Sequence, residues 1–214
     1  MVTVFSKDEV WVFGYGSLMW RPGFAFIQSS VALLRGYHRH FCVWSHRYRG
    51  SPEVPGLVLG LDRGGSCRGI AYRIAPDQAE NVLAYLHERE MITGVYRPSR
   101  LGMTLMDGAG AGLAAGLSGQ RVVAQTYVVD RTHPQYAGTL SETELAALVI
   151  QGVGTAGPCL DYLNNTINHL VKMGVPDRRL EKMLALVDAM RVGRELIPTA
   201  PRGPPPHAAN LHRS

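Results

Sequence analysis

Two short stretches of this 214-residue chain carry residues that could do chemistry. The first is "WVFGYGSLMW", Trp11 to Trp20. Bulky Trp11, Val12 and Phe13 read as a buried strand, and Gly14, Tyr15, Gly16, Ser17, Leu18 and Met19 follow it. Two glycines around one tyrosine let successive backbone N–H groups turn toward a single point, and such a nest binds a carboxylate or an oxyanion. Ser17 adds a hydroxyl donor. The stretch is not a P-loop, because no Gly-Lys-Ser/Thr follows. It is not a dinucleotide fingerprint either, because the third glycine is missing and the run enters Trp20-Arg21-Pro22 rather than a helix. A β-bulge or tight turn is the alternative reading.

The second is Glu90. In "PDQAENVLAYLHEREM" the residues Ala79, Val82, Leu83 and Leu86 make one apolar helical stripe, and the next position on that face is Glu90. Glu88 and Arg89 point elsewhere on this pattern. A carboxylate at the inner end of an apolar stripe is costly unless it is hydrogen-bonded or put to use. Desolvation there raises its pKa and makes it a better base near neutral pH. The competing reading is a helix-end glutamate that reaches solvent or pairs with Arg89 or Arg97.

These residues need elements to position them. Strand-like runs fall at Val10 to Tyr15, Val31 to Ser45, Leu57 to Leu61, Gly69 to Ile74, around Tyr96 to Met106, and Val122 to Val129. "DGAGAGLAAGLSGQ", Asp107 to Gln120, is too rich in glycine and alanine to pack well and reads as a surface loop between two strands. Asp77 and Glu80 predict a capping box for the helix that ends near Glu90. Three helices follow the β-rich part. One opens on a Ser141/Glu144 capping box and carries Leu145, Leu148 and Val149 on one face. The next starts at Pro158 and stops at Gly174, and the last runs from Asp177 to Gly193. The expected fold is α+β, with a curved or closed antiparallel-rich sheet and a helical C-terminal third. Residues 1–197 read as one domain, and the proline-rich 198–214 as a disordered or extended tail.

Composition narrows the function classes. Hydrophobic residues make up 46% and charged residues 18%, ordinary for a globular domain. No run of about 18 apolar residues predicts a membrane span. The start, "MVTVFSKDEVW", does not read as a secretory signal. Cys42, Cys67 and Cys159 are too few and too widely spaced for a disulfide framework or a zinc site, so a reducing cytoplasm is the expected compartment. His38, His40 and His46 have no carboxylate or cysteine at ligand spacing, and no metal is expected. Cys42 reads as a small buried hydrophobe rather than a nucleophile. The net charge of +5 is concentrated around Arg35, Arg39, Arg47 and Arg49, among the aromatics Tyr37, Phe41, Trp44 and Tyr48. That pattern suits a nucleic-acid-binding module, a strand with one face in the core, or a site for a small anion.

Four ordered blocks resemble the ChaC-like γ-glutamylcyclotransferases. They are "VFGYGSLMWRPGF", "LRGYHRHFCVWSHRYRGSPEVPGLVLGLDRGGSCRGIAYRI", "YLHEREMITGVYRP" and "HPQYAGTLSETELAALVIQGVGTAGPCLDYLNNTINHL". The resemblance spans roughly Val10 to Asp188. "MITGVY" after the glutamate is longer than the Gly-Gly-Tyr of some members and looks like the bacterial subgroup. The resemblance implies a γ-glutamyl cyclotransferase-like small β-barrel flanked by helices. It also implies cleavage of glutathione to 5-oxoproline and cysteinylglycine, without metal or other cofactor. The glutamate of the family's Arg-Glu pair falls on Glu90, and its substrate loop falls on Gly14 to Met19. A cyclotransferase acting on other γ-glutamyl amino acids or amines would need the same fold and the same base.

Overall fold

The computed structural model describes residues 9–107 and 116–195. Five strands close into a barrel: β1 (Val10–Gly14), β2 (Gln28–Ser45), β3 (Gly56–Ile74), β4 (Tyr96–Met106) and β5 (Arg121–Val129). Their order around the barrel is β1-β3-β2-β4-β5. Neighbours are antiparallel except where β1 meets β5, which pair parallel at Trp11 with Ala124 and Val12 with Gln125 and close the ring. β3 meets β1 only over Ile70–Ile74 and β2 meets β4 only over Val31–Leu33, so closure uses one end of the long β2–β3 ladder.

Alternation along β1 sorts the core. Trp11 and Phe13 join Leu34, Leu61, Ala71, Leu105 and Ala124 in a cluster drawn almost wholly from strands, which fills the barrel. Val12 faces the other way, with Val31, Leu59 and Ile70, against helix residues Leu86, Leu163, Leu170 and Val187. The period-2 pattern thus packs both sides of one sheet.

Four helices cover the second face: α1 (Ala79–Glu90), α2 (Glu142–Gln151), α3 (Cys159–Lys172) and α4 (Arg178–Glu195). The Ser141/Glu144 capping box forms: Glu144 N donates to Ser141 Oγ at 3.3 Å, and Ser141 N donates to Glu144 Oε2 at 2.8 Å. α3 ends before Gly174, whose φ of 69° suits a residue without a Cβ. At the start of α4, Asp177 Oδ1 accepts from Arg179 N at 3.1 Å and Leu180 N at 3.4 Å. The α+β barrel with a helical C-terminal third is therefore as expected.

Four details differ from the sequence reading. The runs at Leu57–Leu61 and Gly69–Ile74 belong to one 19-residue strand, β3. Gly64 and Gly65 take positive φ at a bulge, not at a turn: Arg35 pairs with Ser66 and Tyr37 with Arg63, so β3 carries one extra residue. The Asp77/Glu80 capping box does not form. Pro76 opens a 3-10 turn, Pro76–Gln78, that holds Asp77, and α1 starts after Gln78 with no side-chain cap. α4 runs past Gly193, since a helical glycine costs about 1 kcal/mol and does not by itself end a helix. A two-residue hairpin, β6 (Val153–Gly154) with β7 (Gly157–Pro158), was too short to show as a periodic pattern. Most of the Gly/Ala-rich loop, residues 108–115, and the proline-rich 198–214 lie outside the described residues.

This hairpin buttresses the segment after β2. Thr155 N donates to Arg47 O at 2.8 Å and Ala156 N to Tyr48 O at 2.9 Å. Gly56 and Gly152 pack directly on the Arg49 carbonyl, leaving no room for a Cβ. Gly56→Ala should therefore destabilise the fold by about 1–3 kcal/mol, the cost of overpacking a tight contact, as read from urea unfolding. An unchanged unfolding midpoint would show that the backbone there can yield.

Candidate functional site

α1 delivers Glu90 from its last residue, and β1 delivers the glycine loop from its end. Both line one cavity of about 460 Å³. Tyr15, Gly16, Ser17 and Leu18 reach its wall together with Glu90. Gly14 and Met19 do not line it. Gly14 ends β1 where a Cβ would collide with that of Leu18. The buried Met19 carries a carbonyl that accepts from the Tyr72 hydroxyl at 3.0 Å.

The loop turns at Gly16 into one 3-10 turn, Ser17–Met19. The Met19 amide is spent on Gly16 O at 2.9 Å, and those of Trp20 and Arg21 on Ser17 O. Among the described residues, the amides of Gly16, Ser17 and Leu18 have no protein acceptor. The nest is thus narrower than the sequence stretch suggested: three open amides with the Ser17 hydroxyl beside them.

Arg89 joins the loop to the base, although the stripe pattern had pointed it elsewhere. Its Nη2 donates to Ser17 Oγ at 3.1 Å. Its Nη1 donates to Arg21 O at 2.8 Å, Pro22 O at 3.2 Å and the Tyr85 hydroxyl at 3.0 Å. Its Nε lies 3.3 Å from Glu90 Oε1. Of the two expected partners for Glu90, Arg97 is committed elsewhere, to Asp130.

The Glu90 side chain is 19% exposed. Burial raises its pKa, and the Arg89 cation opposes that only in part. Around it stand Tyr15, Tyr96, Tyr127 and Tyr162. Burial raises the pKa of all four, with Glu90 adding to the rise, and brings Tyr127 to about 12. They therefore stay protonated and polar without adding charge. Tyr15 donates to Tyr127 O at 3.0 Å and Tyr96 to Leu59 O at 3.0 Å, which fixes two of the rings. The arrangement offers one desolvated base, a small set of anion-binding amides and neutral hydroxyls between them.

The arginine-rich strand separates into different roles. Arg35 is exposed, whereas Arg39 is 4% exposed. Arg39 Nη1 donates to Tyr15 O at 2.7 Å, and its Nε lies 3.2 Å from Asp177 Oδ2, out of line for a hydrogen bond. Arg39 thus ties the loop to the start of α4. Arg47 and Arg49 line the cavity, as does Arg21. Sequence reasoning did not place Arg21, Arg89, Tyr127 or Tyr162 at the site. Tyr162 comes from α3, and no local pattern links it to Gly16.

The histidine strand also differs from expectation. A carboxylate and a thiol do approach: polar atoms of His40, Cys42 and Asp62 lie within 4.8 Å of one another. Asp62 arrives across the β2–β3 ladder, which sequence spacing within β2 cannot reveal. Its carboxylate accepts from Arg131 Nε at 2.6 Å, Tyr136 Oη at 2.8 Å and Arg63 N at 2.7 Å, with His40 Nε2 at 3.2 Å. Burial works against its charge, but these donors together hold its pKa well below the carboxylate range. That donor set reads as a buried ionic tie between strands. Burial pushes the Cys42 thiol up to about 12, far from a thiolate nucleophile.

Comparison with known proteins adds to this geometry. A family model described as "ChaC-like protein" matches residues 10–190. A glutathione-specific gamma-glutamylcyclotransferase of Escherichia coli (strain K12) is 36% identical over 182 residues, 85% of this chain and 74% of that protein. The glutathione-specific gamma-glutamylcyclotransferase 1 of Mus musculus is 33% identical over 187 residues, 86% of this chain and 79% of that protein. Among solved structures, a gamma-glutamyl cyclotransferase specific to glutathione from yeast superposes with a TM-score of 0.74. It covers 86% of this chain and 100% of its own at 21% identity, a likeness of fold. With the matched region spanning the barrel and nearly all of the described helices, the chain belongs to the ChaC-like family.

Proposed function

We propose that this protein cleaves glutathione to 5-oxoproline and cysteinylglycine, with Glu90 as general base and then general acid. The observation that carries the reading is a desolvated carboxylate sharing one cavity with open amides, in a chain of this family. The substrate brings its own nucleophile. Its α-amine attacks the γ-carbonyl carbon, closing a five-membered ring, and aligned intramolecular attack is worth about 7–11 kcal/mol. Glu90 takes a proton from the α-ammonium, so that the nitrogen lone pair can attack. The new C–N bond forms, the γ-glutamyl–cysteine C–N bond breaks, and the proton returns to the leaving nitrogen. No water is consumed, and no cofactor enters these steps.

The remaining roles follow from charge. The amides of Gly16, Ser17 and Leu18, with the Ser17 hydroxyl, receive the α-carboxylate or the developing oxyanion. Gly14 shapes that loop, and Met19 packs beneath it. Arg89 keeps Glu90 beside the loop. The tyrosines exclude water, which preserves the raised pKa. Among the described residues no helix is long and apolar enough to cross a membrane, and all three cysteines are free and buried. Both fit the reducing cytoplasm, where glutathione is abundant as a thiol.

Glu90→Gln should keep the fold and lose activity by at least about 10²–10⁴-fold in 5-oxoproline release. The exposed Glu88, changed to Gln, should be nearly silent. A folded Glu90→Gln retaining more than about a tenth of the rate, far above that range, sinks the assignment.

The pH profile gives an independent check. Glu90 acts as its carboxylate, so kcat/KM falls as it protonates, and burial places that acid limb above the usual glutamate value of about 4.3. The same shift has a stability sign. A pKa higher folded than unfolded means that ionisation costs stability above the unfolded value. Glu90→Gln should therefore melt no lower than wild type at pH 7.5, with the margin closing as pH falls through the raised folded pKa and gone by about pH 4. An acid limb at or below about 4.3 contradicts the desolvated base.

A further inference from the structure

The cavity holds far more positive charge than Glu90 can balance. Arg21, Arg47, Arg49 and Arg89 all line it. Only Arg89 forms an ion pair; Arg21, Arg47 and Arg49 have no carboxylate partner among the described residues. We propose that Arg47 and Arg49 form a second anion subsite, which binds the C-terminal carboxylate of a γ-glutamyl peptide and selects such peptides over γ-glutamyl amines and amides. This rests on the γ-glutamyl reading of the Glu90 site and extends it to the leaving portion of the substrate.

Three observations carry it. First, the subsite is built. Arg47 O and Tyr48 O accept from the β6–β7 hairpin, Arg49 N donates to Ser45 Oγ at 2.9 Å, and Gly56, Gly152 and Gly154 admit no Cβ against this backbone. The pinned backbone fixes where both side chains start, and the Arg49 guanidinium is itself held on Pro158 O, which lowers the entropic cost of binding there. Second, Arg49 is half-buried and has no carboxylate within ion-pair distance among the described residues, with Asp161 acting on it only from further off. Its Nη1 donates to Pro158 O at 2.9 Å, and its Cζ stands 5.2 Å from the Tyr162 ring centroid. Burial lowers its pKa. A partly desolvated cation whose close contacts are a carbonyl and a ring gains from an incoming carboxylate.

Third, the two anion sites are separated by one side chain. The Tyr162 hydroxyl abuts Gly16 in the loop, while Arg49 stands over the Tyr162 ring. A substrate whose α-carboxylate meets the Gly16–Leu18 amides therefore has its leaving portion free to run past Tyr162 toward Arg49 and the exposed Arg47. The volume, about 460 Å³, is within the range of pockets that enclose a whole small ligand rather than one end of it.

The test compares glutathione with its C-terminal glycinamide, which differs only in replacing that carboxylate by a carboxamide. Wild type should favour glutathione by at least about tenfold in kcat/KM, as expected for a charge-assisted contact. Arg47→Gln and Arg49→Gln should each reduce kcat/KM for glutathione more than for the amide, so that the ratio falls toward one. The loss should appear mainly in KM, the sign of binding made equally in ground and transition states. Arg49→Lys should restore part of the preference. Exposed Arg47 makes no side-chain hydrogen bond among the described residues, so its variant guards against misfolding as an explanation. A wild-type ratio near one, or variants that slow both substrates equally, overturns the subsite and leaves the Glu90 reading intact. Release of 5-oxoproline from neither substrate by wild type overturns that reading, and the subsite with it.

Discussion

The Arg89 guanidinium holds the two halves of the site together. Through one side chain it meets the Ser17 hydroxyl, two backbone carbonyls of the segment after the loop, and the Glu90 carboxylate. Base and anion loop come from elements separated by about seventy residues, and the barrel alone does not fix their distance. Arginine suits the task because its donors project in a rigid plane and its charge persists at every relevant pH. A lysine would carry the charge but not the several directions.

That contact also sets the electrostatic balance. Burial pushes the Glu90 pKa up and Arg89 pulls it back, so the carboxylate is basic yet still ionises. The surrounding hydroxyls are kept neutral by their own burial and by the nearby carboxylate, so they shield the site without competing for its charge. On the far side, Arg21, Arg47 and Arg49 have no ion-pair partner among the described residues, so the base works at the edge of a positive field that favours anionic ligands.

Much of this was legible in the chain itself, where signals are local. Strand-like runs fell on all five barrel strands, although β3 read as two. The helical stripe singled out Glu90, and the glycine pair marked the loop. What escaped was non-local. Asp62 meets His40 only through the β2–β3 register, Tyr162 reaches the loop from α3, and Arg89 reaches Ser17 across the cavity. Local signals also competed: Pro76 imposed a 3-10 turn where Asp77 and Glu80 had the types for a capping box, and paired glycines made a bulge inside β3 where two separate strands were expected. The family resemblance linked Glu90 to the glycine loop, but it did not reveal which amides stay open.

The most direct measurement is a crystal structure of the Glu90→Gln variant with glutathione bound. The account predicts the substrate α-nitrogen within hydrogen-bond reach of the residue-90 side chain, about 2.6–3.2 Å, with an oxygen of the γ-glutamyl head on the Gly16–Leu18 amides. A γ-glutamyl head seated away from residue 90, with its amine facing another side chain, would contradict it.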